Sequence, residues 1–382
     1  MVNLHPQSTL LGAVILARHG DRLEFFQDPL TYTPSATSLT PLGTVQELQL
    51  GSFLRATYLD PTNPSTFIAG ISPDLVDIAQ VIVRADAAGE GSVIQESVNA
   101  LLQGLYPPTP SFSITLANGT NVVGAMGGYQ YVPVESVQPN LDISLNSFTS
   151  CPNFDLHTQA FYNSDEFKAK AQAAAPFLQA LKPYVGNRSL DFINMFNIFD
   201  FVNVEMIHNK TFLDALPATF AAQAYALANY HENGVFTDGK IDGIGNVAIQ
   251  TILPSIFSSL TRIANQSDPL KLALNEISYK PFISLFNITA ATEKNPEIAG
   301  IVDYTSVVSL ELRASPAGPP MVTMRFKNGT AEHTFRPLSI FGKADIPLSE
   351  FIGRLAPAAI NSTSQWCQAC NQHVLRGCSG CV

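Results

Sequence analysis

Charge is scarce in this chain. Asp, Glu, Lys and Arg together make up 14% of its 382 residues, against roughly 25% in ordinary globular proteins. With 46% hydrophobic residues the scarcity excludes a disordered, self-repelling chain and leaves material for a large core. Basic runs are missing too: 21 Lys and Arg stand against 31 Asp and Glu, a net charge of −10. A nucleic-acid partner held by phosphate contacts is therefore excluded. No uninterrupted apolar stretch reaches about 18 residues, so no transmembrane span is expected. The first seven residues lack both a cationic segment and an apolar one, so no signal peptide is read there. His157, His231, His333 and His373 are isolated, without metal-ligand spacing, and neither a metal nor a cofactor is expected. The turn Asp238–Gly243 lacks the Gly-Lys-Ser/Thr ending of a phosphate loop.

What is present points outside the cell. Asn-x-Ser/Thr triplets begin at Asn118, Asn187, Asn209, Asn265, Asn287, Asn328 and Asn361, where average composition gives roughly one per 150–200 residues. The excess predicts a secreted or cell-surface glycoprotein. Five cysteines, Cys151, Cys367, Cys370, Cys378 and Cys381, include two Cys-x-x-Cys pairs near the end. They suit disulfides in an oxidising compartment better than a zinc site, because the loop between the pairs is short for a zinc ribbon. The last four allow three pairings, Cys151 makes the count odd, and the connectivity stays open.

Leu11–Ala17 is a continuous apolar segment that ends at a charged cluster, and it reads as a buried strand. Thr40-Pro41 then opens a helix, with Thr40 as cap and Pro41 in the first helical position. Val81–Arg84 reads as a second strand and Ser92–Leu105 as a helix. Residues 107–254 change character, with helical segments at Asp165–Leu181, Ser189–Ile207 and Pro217–Tyr230. After an apolar helix at Gly243–Ile263, strands are expected at Lys271–Glu276, Thr305–Leu312 and Met321–Phe326. A last helix is expected over Asp345–Leu355, capped by Asp345. Alternating strands and helices predict an α/β fold, with a central, mostly parallel sheet between helical layers. The domains expected are a core of residues 1–106 and 255–360, an inserted, mainly helical cap of residues 107–254, and a Cys-rich tail of residues 361–382.

The cluster that carries chemistry is Arg18-His19-Gly20-Asp21-Arg22 at the carboxyl end of the first strand, where open α/β sheets hold ligands. A neutral imidazole can attack phosphorus. Cations are needed around the equatorial oxygens, and Arg18 and Arg22 supply planar forks for them. Gly20 removes a Cβ that would crowd an anion, while Asp21 has no obvious role. Phe192, Phe196, Phe199 and Phe201 fit a core stripe better than a ligand box.

Arg18-His19-Gly20-x-Arg22 resembles the signature of the histidine acid phosphatases, the second branch of the histidine phosphatase superfamily with the phosphoglycerate mutase-like fold. Gly104–Pro108, Cys151–Phe154, Ile207–Asn209 and Ser306–Leu312 are similar to further family segments, in family order. The resemblance implies a helical cap after Tyr106, a phosphohistidine intermediate at His19, phosphate binding by Arg18 and Arg22, and a small phosphomonoester as the partner molecule. Two departures accompany it. The family's further phosphate-binding Arg, expected a few residues before the Ser that matches Ser97, is missing, since no Arg follows Arg84 in Arg84–Ile94, and Ser278-Tyr279 stands where a His and a general-acid Asp belong. The Pro that often follows the first motif is also missing, with Glu24 near its position. Loss of a positioned acid lowers rates by about 10²–10⁴, and loss of an anion-stabilising donor costs about 2.7–4 kcal/mol. Glu90, Asp86, Asp21, Glu205 and Tyr279 are the candidate substitute acids. Two functions follow: an impaired phosphomonoesterase acting through His19, or a non-catalytic glycoprotein that keeps the fold and an anion pocket. The oligomeric state is not legible.

Overall fold

A computed structural model describes residues 8–25, 28–33, 37–87, 92–315 and 318–380. Strand β1 (Leu10–Arg18) lies at the centre of the main sheet, buried along most of its length as its unbroken apolar sequence requires. On one side it pairs in parallel with β5 (Leu272–Ile277), which pairs in parallel with β2 (Val81–Ala85). On the other side it runs antiparallel to β6 (Val307–Arg313), which is followed by antiparallel β7 (Met321–Lys327). Two short strands, β8 (Arg336–Leu338) and β9 (Asp345–Pro347), both pair with β7. A separate exposed hairpin joins β3 (Ser113–Thr115) to β4 (Asn121–Val123).

The α/β class and the helices on both faces agree with the sequence reading. The sheet, however, is mixed rather than mostly parallel. Only its β2-β5-β1 half is parallel, and helical crossovers link β1 to β2 and β2 to β5. The segments joining β6, β7, β8 and β9 are short and return the chain antiparallel. Asp345 does not cap a helix. Asp345–Pro347 is strand β9, and the helix begins at Leu348. A further helix, Thr363–Cys370, follows it.

Helices Pro41–Tyr58 and Val93–Leu105 cover one face of the sheet, with Leu50, Leu54, Leu101 and Leu105 packed on Ala13, Ile15 and Leu274. Thr40 caps the first of these helices as expected, its Oγ1 accepting from the Gly43 N–H at 3.1 Å. Helix Leu253–Ala264 lies against the opposite face, where one continuous apolar cluster also takes in helices Asp165–Leu181, Met195–His208 and Phe220–Val235. By length and composition the run Ile244–Ala264 would cross a bilayer. Val247, Ile249, Ile252, Ile256 and Leu260 are nevertheless fully buried in the protein core. Disulfides Cys151–Cys370 and Cys367–Cys378 tie the last helix to the chain near Pro152 and to its own C-terminal turn. Cys381 lies outside the described residues.

Candidate active site

The carboxyl end of β1 delivers Arg18 and His19 to a point enclosed on several sides. Thr305 N–H donates to His19 O at 3.2 Å, and His19 N–H donates to Ile277 O at 3.2 Å. The motif is thereby strapped between the ends of β5 and β6. Gly20 N–H donates to Ser97 Oγ at 3.2 Å, which brings the expected serine against the loop. The requirement for glycine has a different origin from the one expected. A Cβ on Gly20 would lie 2.6 Å from Gly43 O, and one on Gly43 would lie 2.2 Å from Asp21 O. The loop and the start of helix Pro41–Tyr58 pack backbone on backbone, so glycine is needed for packing rather than to admit an anion.

His19 Nδ1 lies 2.9 Å from Gly20 O. A carbonyl only accepts, so Nδ1 carries a proton, and the neutral form of this ring has its lone pair on Nε2, the tautomer a nucleophile needs. The ring has no exposed surface and lies 5.6 Å from the Tyr304 ring. Arg18 is also buried. It donates from Nη1 to Val302 O, and its guanidinium stands 4.4 Å from the Tyr304 ring centre and 5.2 Å from that of Tyr279. Its Nε has no acceptor among the described residues. Arg22 is wholly buried and ion-paired to Asp200, with Nη1 3.0 Å from Oδ1 and 3.2 Å from Oδ2. Asp200, on helix Met195–His208, also accepts from the Phe25 N–H at 2.9 Å. Asp21 Oδ2 accepts from Thr40 Oγ1 and meets His208 Nε2 at 2.8 Å, so Asp21 ties the loop to both neighbouring helices. The His208 side chain is partly exposed.

The three residues expected to form the site, Arg18, His19 and Arg22, thus share one neighbourhood, but two carboxylates, Asp21 and Asp200, share it with them. The cavity beside them, of about 200 Å³, is lined by Arg18, Asp200, Asp303, Tyr304, Tyr225, Phe196 and Phe199. Phe196 and Phe199 therefore serve the cavity wall as well as the core. Burial pushes the Tyr304 hydroxyl up to about 12 and raises the Asp303 carboxyl above the usual range.

At the end of β5 the departure seen in the sequence has a structural counterpart. Tyr279 is buried and donates its hydroxyl to Glu232 Oε2 at 2.6 Å, while Glu232 Oε1 meets His231 Nδ1 at 2.7 Å. Ser278 Oγ is buried without a partner among the described residues. Among the candidate acids, Asp86 is buried and accepts from Asn146 Nδ2, and Glu205 accepts from Asn209 Nδ2. Glu90 lies outside the described residues. Asp200, Asp303 and Tyr304 were missed by the sequence reading, since no local motif marks them and only the fold brings them to the loop.

No family model matches the chain, and no curated protein does. Solved structures do. Hafnia alvei phytase in complex with tartrate superposes with a TM-score of 0.66 at 13% identity, covering 96% of this chain and 99% of that one. The phytase from Citrobacter braakii gives 0.62 at 13% identity, covering 95% and 99%. A multiple inositol polyphosphate phosphatase from Bifidobacterium longum, in complex with inositol hexasulfate, gives 0.53 at 10% identity, covering 96% of each chain. The chain has the phytase-like histidine phosphatase fold.

Proposed function

We propose that this chain is a non-catalytic protein of the histidine phosphatase fold, in which the protein's own carboxylates occupy the phosphate site. The observation that carries this reading is the buried Arg22–Asp200 pair at 3.0 Å. A phosphomonoester dianion needs an excess of positive charge around its oxygens. Here two guanidinium groups are matched by two carboxylates, and Asp303 adds a third acidic side chain to the cavity wall. Bringing a dianion to 4 Å from an unscreened carboxylate costs on the order of 8 kcal/mol at an effective dielectric of 20. The positioned acid of the related enzymes is replaced by a tyrosine whose hydroxyl is already committed to Glu232. Steady-state hydrolysis of an aryl phosphate between pH 3 and 7 tests the reading. The wild-type chain and His19→Ala are expected to be equally inactive, and turnover lost on His19→Ala would overturn it.

The second reading, a slow phosphomonoesterase acting through His19, is favoured by the His19 tautomer and by the unpartnered Arg18 Nε. On that reading Asp200 swings away from Arg22 when substrate enters, and the same assay decides. For either reading we place the protein in the secretory pathway as a glycoprotein. The support is its two disulfides, which persist in oxidising compartments, together with its excess of glycosylation triplets.

A further inference from the structure

A hollow of about 570 Å³ lies against the edge strand β2, and His19 is not among the residues that line it. Ser144, Thr251, Ser255, Ser258 and Ser259 contribute to its wall. Its charges cancel. Arg84 and Glu135 both line it, and Arg262 is held by Asp268 at 2.8 Å. Thr251 is 8% exposed, and its Oγ1 is buried, with no hydrogen-bond partner among the described residues. A neutral hollow lined by hydroxyl residues suits a polyhydroxyl ligand rather than an anion or a metal ion.

The triplet Asn361-Ser362-Thr363 forms the rim of this hollow. Ile360 N–H donates to Gln250 O at 3.0 Å, which fixes the rim beside Thr251. Asn361 is exposed, and its Nδ2 has one partner, the nearby Ala359 O at 3.2 Å. The contrast with two other triplets is clear. Asn287 Nδ2 is engaged by Asp238 O and by Asn246 Oδ1, and Asn328 Oδ1 is held by Asp303 N–H and Ser306 Oγ.

We infer that Asn361 carries an N-linked glycan whose first sugars lie in the hydroxyl-lined hollow beside it. The inference rests on the secretory reading above. The donor is a lipid-linked oligosaccharide diphosphate. Asn361 Nδ2 bonds to the anomeric carbon as that carbon's bond to the phosphate oxygen breaks, the amide gives up one proton, and the lipid diphosphate leaves. Seated sugars supply hydrogen-bond partners for the serines of the wall, so the glycan braces the last helix against helix Leu253–Ala264.

The full chain, secreted from a eukaryotic host, is analysed by glycopeptide mass spectrometry before and after treatment with an endoglycosidase. Asn118, on the exposed β3–β4 hairpin, is the internal reference. In the folded protein, release from Asn361 is expected to be at least about tenfold slower than from Asn118, the factor that about 1.4 kcal/mol of seating free energy provides. Denaturation, or filling the hollow with Ser258→Trp, is expected to abolish the difference while Asn361 stays glycosylated. Equal release from both sites in the folded protein refutes the seating. Sugar at Asn118 with none at Asn361 refutes the site, and a chain without sugar at any triplet refutes the secretory reading along with it.

Discussion

Asp200→Asn isolates the charge that closes the site. Asparagine keeps the volume and the hydrogen bond from the Phe25 N–H but leaves the wholly buried Arg22 without its carboxylate. Removing one member of a buried ion pair costs about 3–5 kcal/mol, because the other charge stays desolvated. At roughly 2.1 cal/mol/K of unfolding entropy per residue near 60 °C, a chain of 382 residues converts that loss into a melting point lower by about 4–6 °C. The vacated position is then cationic, and an anion can take it. Orthophosphate at about 100 times its dissociation constant returns about 2.7 kcal/mol, or roughly 3 °C. The assay is thermal unfolding of the wild type and the variant with and without phosphate, at constant ionic strength and with chloride as the control anion. The wild type is expected not to respond, and the variant to be rescued by phosphate but not by chloride. A variant that melts with the wild type, or phosphate stabilisation of equal size in both proteins, would refute the reasoning.

Other expectations follow from buried groups elsewhere. Glu47 and Glu276 have no exposed surface, and none of their four carboxyl oxygens has a hydrogen-bond partner among the described residues. Burial, and for Glu47 the neighbouring Glu276, hold both carboxyls well above their usual range. The folded state therefore keeps protons that the unfolded chain releases near pH 4, so stability is highest below that pH and falls as pH rises toward the raised folded values. Glu47→Gln is expected to flatten this decline, read as a smaller difference in melting point between pH 4 and pH 8. The disulfide Cys151–Cys370 spans 219 residues and Cys367–Cys378 spans 11. Chain entropy assigns them about 5 and 3 kcal/mol, so the Cys151→Ser/Cys370→Ser protein should unfold at lower urea than Cys367→Ser/Cys378→Ser. Gly43→Ala puts a methyl carbon 2.2 Å from Asp21 O. It is expected to destabilise by at least 1–3 kcal/mol, the usual cost of overpacking, whereas Gly353→Ala, whose Cβ meets no neighbour within 4 Å, should not.

Much of the frame was legible because it rests on local patterns. The apolar run of β1, the Thr40 cap and the Asp165–Leu181 helix each declare themselves within a few residues. The antiparallel half of the sheet was less legible, since Asp345–Pro347 is three residues long and is a strand only because β7 is there to pair with it. At the site, Arg18, His19 and Arg22 were readable from their spacing. Their partners were not: Asp200 is 178 residues from Arg22 and Tyr304 is 285 from His19. The replacement of the acid motif at Ser278-Tyr279 was legible as a change of residue type. Its consequence was not, because the Glu232 that takes the Tyr279 hydroxyl comes from another helix.

The most direct measurement is calorimetric titration of the wild-type protein with orthophosphate at pH 5 and low ionic strength, where attraction between exposed charges is least screened. A site filled by Asp200 and Asp21 predicts no saturable heat at millimolar phosphate. One-to-one binding in the micromolar range, lost in Arg18→Ala and Arg22→Ala, would mean that the guanidinium groups are open to an anion and that the account is wrong.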